Sequence, residues 1–316
     1  MFTKTCAIAV VITGISLALS STAPVASEMC SMNPAFDQKD SDAKNQKTSV
    51  WANGAVGNQP SALMFVEKIN VNTDGTRRSY NVADFWGETV ALNNLCNAMS
   101  DACSNLDSEG MRQRRILTQR AKAQGWPADL FQATRISPGI IPLKNGKPCP
   151  EVDGFLVSAT ALHKKPIQDA CDITNYVDAL VTPAIVIPKG TNGFSQRNVR
   201  VGDLVVTLRP GKTSPVFAVV GDTGPVNSLG EGSIALNGRL LDKAAPPVNY
   251  TEVRGRKEFV GKGWSVPETI VLIFPGTRDE NTPYMTPERI NAASKKLFED
   301  WGGITRAQAC AEEYAK

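Results

Sequence analysis

Apolar residues recur along this chain in short runs broken by Gly, Pro and Asn, a pattern that predicts many short strands rather than long helices. The runs at 155–162, 184–187, 203–208, 216–220, 233–236 and 269–274 are rich in aliphatic and β-branched residues. An earlier strand is expected from Leu63 through LMFVEKINVN, ended by a turn at Asp74-Gly75. Helical spacing is expected in three places. One covers 90–102, and a second covers 108–124 and stops before Gly125 and Pro127. The third opens at Thr286-Pro287-Glu288, with Ile290, Ala293, Leu297 and Trp301 on one face and Gly302-Gly303 at its end. The fold class that follows is mainly β with peripheral helices (α+β), built on a small six-stranded barrel, with the double-psi arrangement as one form of it.

Outside these runs the patterning divides the chain. Residues 1–27 carry Lys4, an uncharged apolar stretch from Cys6 to Leu19, and small residues that place Val25 and Ser27 before a cleavage point at Glu28. That is the pattern of a secretory signal peptide, and the apolar stretch is too short to span a bilayer. Residues 28–60 are polar and read as an extended or disordered lead-in. A catalytic barrel domain is expected over 61–278, with a helical insertion at about 90–135 and a C-terminal helical extension over 279–316. The expected product is an exported monomer, secreted or periplasmic, with no stable membrane anchor.

Composition narrows the function. Loss of residues 1–27 leaves 289 residues with a formal charge of about +2, too near neutral for a dedicated nucleic-acid binder. The basic cluster Arg112, Arg114, Arg115, Arg120 and Lys122 reads as a solvated helix face, with Glu109 in reach of Arg112. Six cysteines remain: Cys30, Cys96, Cys103, Cys149, Cys171 and Cys310. In an exported chain they are disulfide candidates, with 15 pairings open. One histidine, His163, and no close ligand cluster argue against a metal, and no cofactor is expected. His163, flanked by lysines, is a poor centre for a catalytic triad. Gly211-Lys212-Thr213 fails as a phosphate loop because Val206 stands where the first glycine is required.

What remains is carboxylate chemistry between Val201 and Leu236. The 216–220 strand runs into Gly221-Asp222-Thr223-Gly224, and nine residues after Asp222 comes Glu231 in Gly230-Glu231-Gly232-Ser233. Glycine-flanked acids at strand ends are open to a ligand, and two of them facing one cleft suit glycoside hydrolysis. Such acids are also common as plain turn residues or surface charges, so spacing alone does not decide.

At these residues the chain resembles the chitosanases of glycoside hydrolase family 75, whose members carry a G-D-T-G or G-D-T-N strand end followed by G-E-A-S. The similarity extends to Asp153–Leu162, Asn175–Pro188 and Lys68–Asn81, and covers about two-thirds of the chain. It implies endo-acting, inverting hydrolysis of a β-1,4-linked glucosamine polymer such as chitosan, with Asp222 and Glu231 as the two essential acids. A looser similarity, of the D-T-G turn to double-psi barrel proteins that include lytic transglycosylases, implies Asp222 as the acid and Glu231 as the base. Asp74, Asp153 and Asp178 are then candidates for binding ammonium groups, and Thr223 joins the substrate-binding set. Among Trp86, Tyr176, Trp264 and Tyr284 as sugar-stacking candidates, Trp264 has the most exposed context. The chain departs from the family in Gly232, where alanine is usual, in a short loop between the acids, and in an expanded basic stretch over 96–150. Two rival readings stay open: a peptidoglycan-acting transglycosylase of the same barrel type, which needs Asp222 alone, and a non-catalytic carbohydrate-binding envelope protein.

Overall fold

The computed structural model describes Met1 and residues 30–314; the signal-peptide reading lies outside those residues. The strands are β1 (Asn33–Lys39), β2 (Lys47–Asn53), β3 (Ala62–Asn72), the two-residue pair β4 (Leu143–Lys144) and β5 (Lys147–Pro148), β6 (Ala184–Pro188), β7 (Leu204–Leu208), β8 (Val216–Gly224), β9 (Glu231–Ser233) and β10 (Val266–Phe274). Six of them, in the order β3-β10-β7-β8-β6-β9, close on themselves because β9 returns to pair with β3. The result is a closed, mixed six-stranded barrel with peripheral helices. Closure satisfies the backbone groups that an open sheet would leave at its edges.

Period-2 alternation explains which side chains fill the barrel. Leu63, Phe65, Ile185, Val205, Val220 and Val271 point into the lumen and form its core. Their neighbours Met64, Val206, Ile270 and Leu272 point outward and need a second layer, which the C-terminal helices supply. These are α6 (Pro287–Trp301) and α7 (Gly303–Tyr314). Thr286 caps α6 through its side chain, Pro287 occupies the first turn, and Gly302, at φ 123°, ends it. Ile290 and Trp301 are buried as the periodicity predicts, and Phe298 joins them. The Trp301 ring nitrogen donates to Asn53 Oδ1 at 2.8 Å. The C-terminal extension is thus the cover of one barrel wall.

Several boundaries differ from expectation. In place of the loose lead-in expected over 28–60, the described residues 30–60 carry β1 and β2, an antiparallel hairpin that extends the sheet beyond β3. Gln38, Thr48 and Asn53 are buried although polar, and Val50 is the hairpin's buried aliphatic residue, so the apolar pattern gives little sign of these strands. In place of a helix over 90–102 there is a single 3-10 turn at Leu95–Ala98, in a segment tied by Cys96–Cys103. The run at 155–162 makes isolated bridges, Leu156 to Tyr80 and Phe155 to Val152, rather than a strand. At 233–236 the strand stops at Ser233, whose hydroxyl accepts from Leu236 N and starts α4 (Ile234–Leu240). A serine cap outweighs the β-branched run there.

Between β3 and β6 the chain builds a lobe holding α1 (Ser108–Ala123) and α2 (Ala128–Thr134), with Tyr80, Phe85, Leu95 and Ile141 in its own core. The basic face of α1 is solvated and locally paired: Arg112 with Glu109, Arg114 with Asp101, Lys122 with Glu151. No helix among the described residues is long and apolar enough to cross a membrane.

Three disulfides join Cys30–Cys310, Cys96–Cys103 and Cys149–Cys171. The first links the strand-hairpin end of the fold to α7 across 280 residues of chain, the second closes only 7, the third 22. Chain-entropy reasoning ranks their contributions by loop length, at about 5–6 kcal/mol for the long loop, about 3 for the intermediate and about 2 for the short one. Replacing both cysteines of each pair by serine should therefore lower the thermal midpoint most for Cys30–Cys310 and least for Cys96–Cys103, as read by calorimetry.

Candidate active site

The register of three adjacent strands sets the site. In β6, Val186 lies beside Asp222 of β8 on one side and beside Glu231 of β9 on the other, and Glu231 lies beside Asn70 of β3. Laterally paired residues share a face, so all four point the same way. Ile185 and Ile187 fill the lumen, so Val186 and its partners face outward. A register shift between Ile185 and Val186 places Asp222, rather than Gly221, level with Val186. Asp222 and Glu231 are two strand spacings apart, about 10 Å between backbones. Glu231 leans back toward β8: its Oε2 is 4.0 Å from where a Cβ on Gly224 would stand. The two acids therefore converge over one stretch of the barrel's outer wall.

A third carboxylate joins them. Asp74 lies just past β3, where its backbone N–H donates to Asn72 Oδ1 at 2.6 Å and turns the chain. Gly75 continues the turn at φ 81°, and a side chain there would collide with Thr160 and the Val177 carbonyl. Asp74 and Asp222 line one small cavity of about 20 Å³ together with Asn72, Thr160, Val186 and Ser233; Glu231 lies outside its lining.

One loop holds both aspartates. Ser158 accepts from Gly75 N–H at 3.1 Å and donates to Asp74 Oδ1 at 3.4 Å. Three residues on, Ala161 N–H donates to Asp222 Oδ1 at 3.0 Å, and Thr223 N–H donates to the same oxygen at 2.8 Å. The Tyr80 hydroxyl, fully buried, donates to Asp74 Oδ1 at 2.6 Å and accepts from Asn93 at 3.1 Å. The stretches 68–81 and 153–162, distant in sequence, are the two halves of this clamp.

Burial pushes all three acids upward, and like charge adds to it for Asp222 and Glu231. Asp222 rises to about 7, first through burial and then through Asp74, against the pull of the Thr223 and Ala161 N–H groups. Glu231 also rises to about 7, through burial and then Asp74, Asp42 and Asp40, opposed by Arg254. Asp74 rises to about 6 because burial outweighs its hydrogen bonds from Tyr80 and Ser158. The three titrate as a coupled set.

The loop between Asp222 and Glu231 is strapped from outside by the β1–β2 turn. Gln38 donates to the Val226 carbonyl at 3.0 Å and Ser41 N–H donates to the Asn227 carbonyl at 3.0 Å. The strap carries Asp42, which accepts from Asn70 at 3.3 Å, and Asp40, which is fully buried. Polar residues 28–60 thus wall the site and add negative charge beside Glu231.

The other expected site residues divide. Thr223 is exposed and serves through its backbone. Asp178 sits between pocket residues Val177 and Ala179, but its carboxylate caps Leu180 N–H and faces Arg77 at 3.8 Å. Asp153 is an exposed turn residue at φ 52° and is not part of the pocket lining. Trp264 is not exposed. Only 2% of it is open, its ring nitrogen donates to Glu252, and Gly238 leaves the slot into which the ring fits. Glycines and lysines beside it suggested a surface turn; the space left by Gly238 on α4 is not legible from local sequence. Trp86, Tyr176 and Tyr284 also lie outside the pocket lining. Tyr80, Ser158 and Ala161 all fall inside the two stretches of similarity, 68–81 and 153–162, but nothing in the local sequence singles them out as partners of the acids. Among the described residues, no group of three or more His, Cys, Asp or Glu is arranged to hold a metal ion.

The chain matches no protein-family model and no curated protein at a significant level.

Gly232 has a steric reason. A Cβ there would stand 2.6 Å from Asn237 Oδ1, 2.8 Å from Ile69 Cγ2 and 2.9 Å from Leu236 Cδ2, all inside the barrel. Gly232→Ala should cost about 1–3 kcal/mol in denaturant unfolding, the usual penalty of overpacking.

Raised carboxyls also make stability depend on pH in a stated direction. Asp222 and Glu231 keep their protons in the fold up to about pH 7 but lose them near pH 4 when unfolded. The folded state binds more protons between those limits, so stability falls as pH rises from about 4 to 7 and is level above. The thermal midpoint should be higher at pH 5 than at pH 8. Asp222→Asn or Glu231→Gln should flatten that slope and raise stability at pH 8 by about 1 kcal/mol or more, a shift of roughly 2–4 °C.

Proposed function

We propose that the protein is an exported, endo-acting glycoside hydrolase that cleaves a β-1,4-linked glucosamine polymer of the chitosan type with inversion at the anomeric carbon. The observation that carries this reading is the convergence of Asp222 and Glu231 on one outward face of the barrel, across Val186. In the proposed mechanism, Asp222 donates its proton to the glycosidic oxygen as the bond to the anomeric carbon breaks. Glu231 takes a proton from water as that water attacks the anomeric carbon from the opposite side. Inverting pairs need ~6.5–9.5 Å between carboxyls to admit the water, which suits two acids one strand apart from a shared neighbour. The Asp222 Oδ1 is occupied by two backbone donors, leaving Oδ2 to carry and release the proton.

Charge supports the substrate class. Asp74, Asp42 and Asp40 surround Glu231 with negative potential, which favours a chain of ammonium-bearing sugars. The resemblance to family 75 chitosanases points to the same substrate. Three disulfides suit an oxidising compartment, in keeping with a secreted or periplasmic location.

The test is to incubate the purified protein, lacking residues 1–27, with chitosan, chitin and peptidoglycan and to identify the fragments by mass spectrometry and proton NMR. Chitosan oligomers with free reducing ends of α configuration are expected. Asp222→Asn and Glu231→Gln should each lower the rate by ~10²-fold or more. Anhydro-sugar ends lost only in Asp222→Asn would replace this reading with the transglycosylase one; binding without turnover would replace it with a carbohydrate-binding role.

A further inference from the structure

Building on the hydrolase reading, we infer that Asp74 is a positioning carboxylate for that reaction: it lines the same small cavity as Asp222, is fixed there by Tyr80 and Ser158, and its charge keeps the proton on Asp222 until the leaving oxygen takes it.

The placement is over-determined in a way that ammonium binding alone does not require. Asp74 shares the pocket wall with Asp222, and the single segment 158–161 positions both, through the Ser158 hydroxyl and the Ala161 N–H. The Asx turn at Asn72 and the glycine at 75 leave the side chain little choice of direction. Both recorded side-chain donors, Tyr80 and Ser158, bind Oδ1. A buried phenol donating at 2.6 Å stabilises the carboxylate form. Asp74 is also the foremost charged neighbour of both Asp222 and Glu231, so it stands between them electrostatically. The other charged or titratable groups facing the set are Asp40 and Asp42 from the β1–β2 turn and Arg254, which act on Glu231, and Tyr250, which acts on Tyr80. The charges acting on Asp222 are foremost Asp74 and, more weakly, Glu231.

Proton accounting is simple. Asp74 neither gains nor loses a proton in the cycle. Asp222 gives its proton to the leaving oxygen and is reprotonated through the proton that Glu231 takes from water and returns to solvent. An ionised Asp74 opposes premature loss from Asp222 at neutral pH.

The experiment is carboxyl NMR titration of Asp222 and Glu231 in the wild type, Asp74→Asn and Tyr80→Phe, with pH–rate profiles on chitosan. In Asp74→Asn the half-titration pH of Asp222 should fall by about 1 or more, that of Glu231 should fall with it, and the alkaline limb of kcat should move down. At pH 7 kcat should drop ~10-fold or more, with KM little changed. In Tyr80→Phe, Asp74 itself should titrate at higher pH, which provides a test if the asparagine variant does not fold. Unchanged titrations of Asp222 and Glu231 would overturn the inference. So would a rise in KM with kcat and its pH profile preserved, since that marks a substrate-binding acid. The titrations need no substrate: wild-type inactivity on chitosan would count against the hydrolase reading and leave the charge coupling measurable on its own.

Discussion

Closure of the barrel depends on three residues pairing in parallel with three others: Asn70–Asn72 of β3 with Glu231–Ser233 of β9. That short ladder does two things at once. It satisfies backbone groups that would otherwise be open at the barrel seam, and it sets Glu231 at the level of Val186 and Asp222. Ser233 secures the seam from the other end, donating to the Thr182 carbonyl at 2.9 Å and accepting from Ala184 N–H at 3.0 Å. Gly232 between them must be small because the lumen has no space left. Stability and site geometry are therefore the same constraint at this point.

The outer wall of such a barrel is where apolar side chains would ordinarily meet a covering layer. Over β7, β8 and β10 the C-terminal helices provide it. Over β6 and β9 the segments carrying Thr160, Val177 and Ala179 leave one small, mostly apolar cavity, into whose lining Asp74 and Asp222 are set. Placing three carboxyls there costs the fold, because burial pushes each toward its neutral form and the charge of Asp74 pushes Asp222 and Glu231 further. Tyr80, Ser158 and two backbone N–H groups offset part of that cost without cancelling it. A destabilised, pre-aimed set of acids is what acid–base chemistry near neutral pH requires.

The hairpin from residues 33–53 and the lobe disulfides extend the same logic outward. The hairpin turn straps the loop that joins Asp222 to Glu231, and Cys30 ties the chain just before it to α7. Arg306 reinforces the tie, donating to the Cys30 carbonyl at 2.9 Å. Distant parts of the chain thereby converge on one loop, whose conformation sets where Glu231 points.

Much of this was legible in the residues alone. Short aliphatic and β-branched runs marked β3, β6, β7, β8 and β10, since strands covered on both faces read as near-continuous apolar stretches. Thr286-Pro287 and Gly302 marked α6, because caps act locally. The glycine-flanked acids at 222 and 231 stood out for the same local reason. What local sequence could not supply was anything fixed by contact across the chain. The strand register that brings Asp222 and Glu231 to one face, the cysteine pairing and the burial of Trp264 against Gly238 are of this kind. So is the meeting of Asp74 with Asp222 through residues 158–161, 84 positions from Asp74 at its Ser158 end. Patterning reports which face of an element is apolar; which elements meet is decided only when the barrel closes and the remaining surface must be covered.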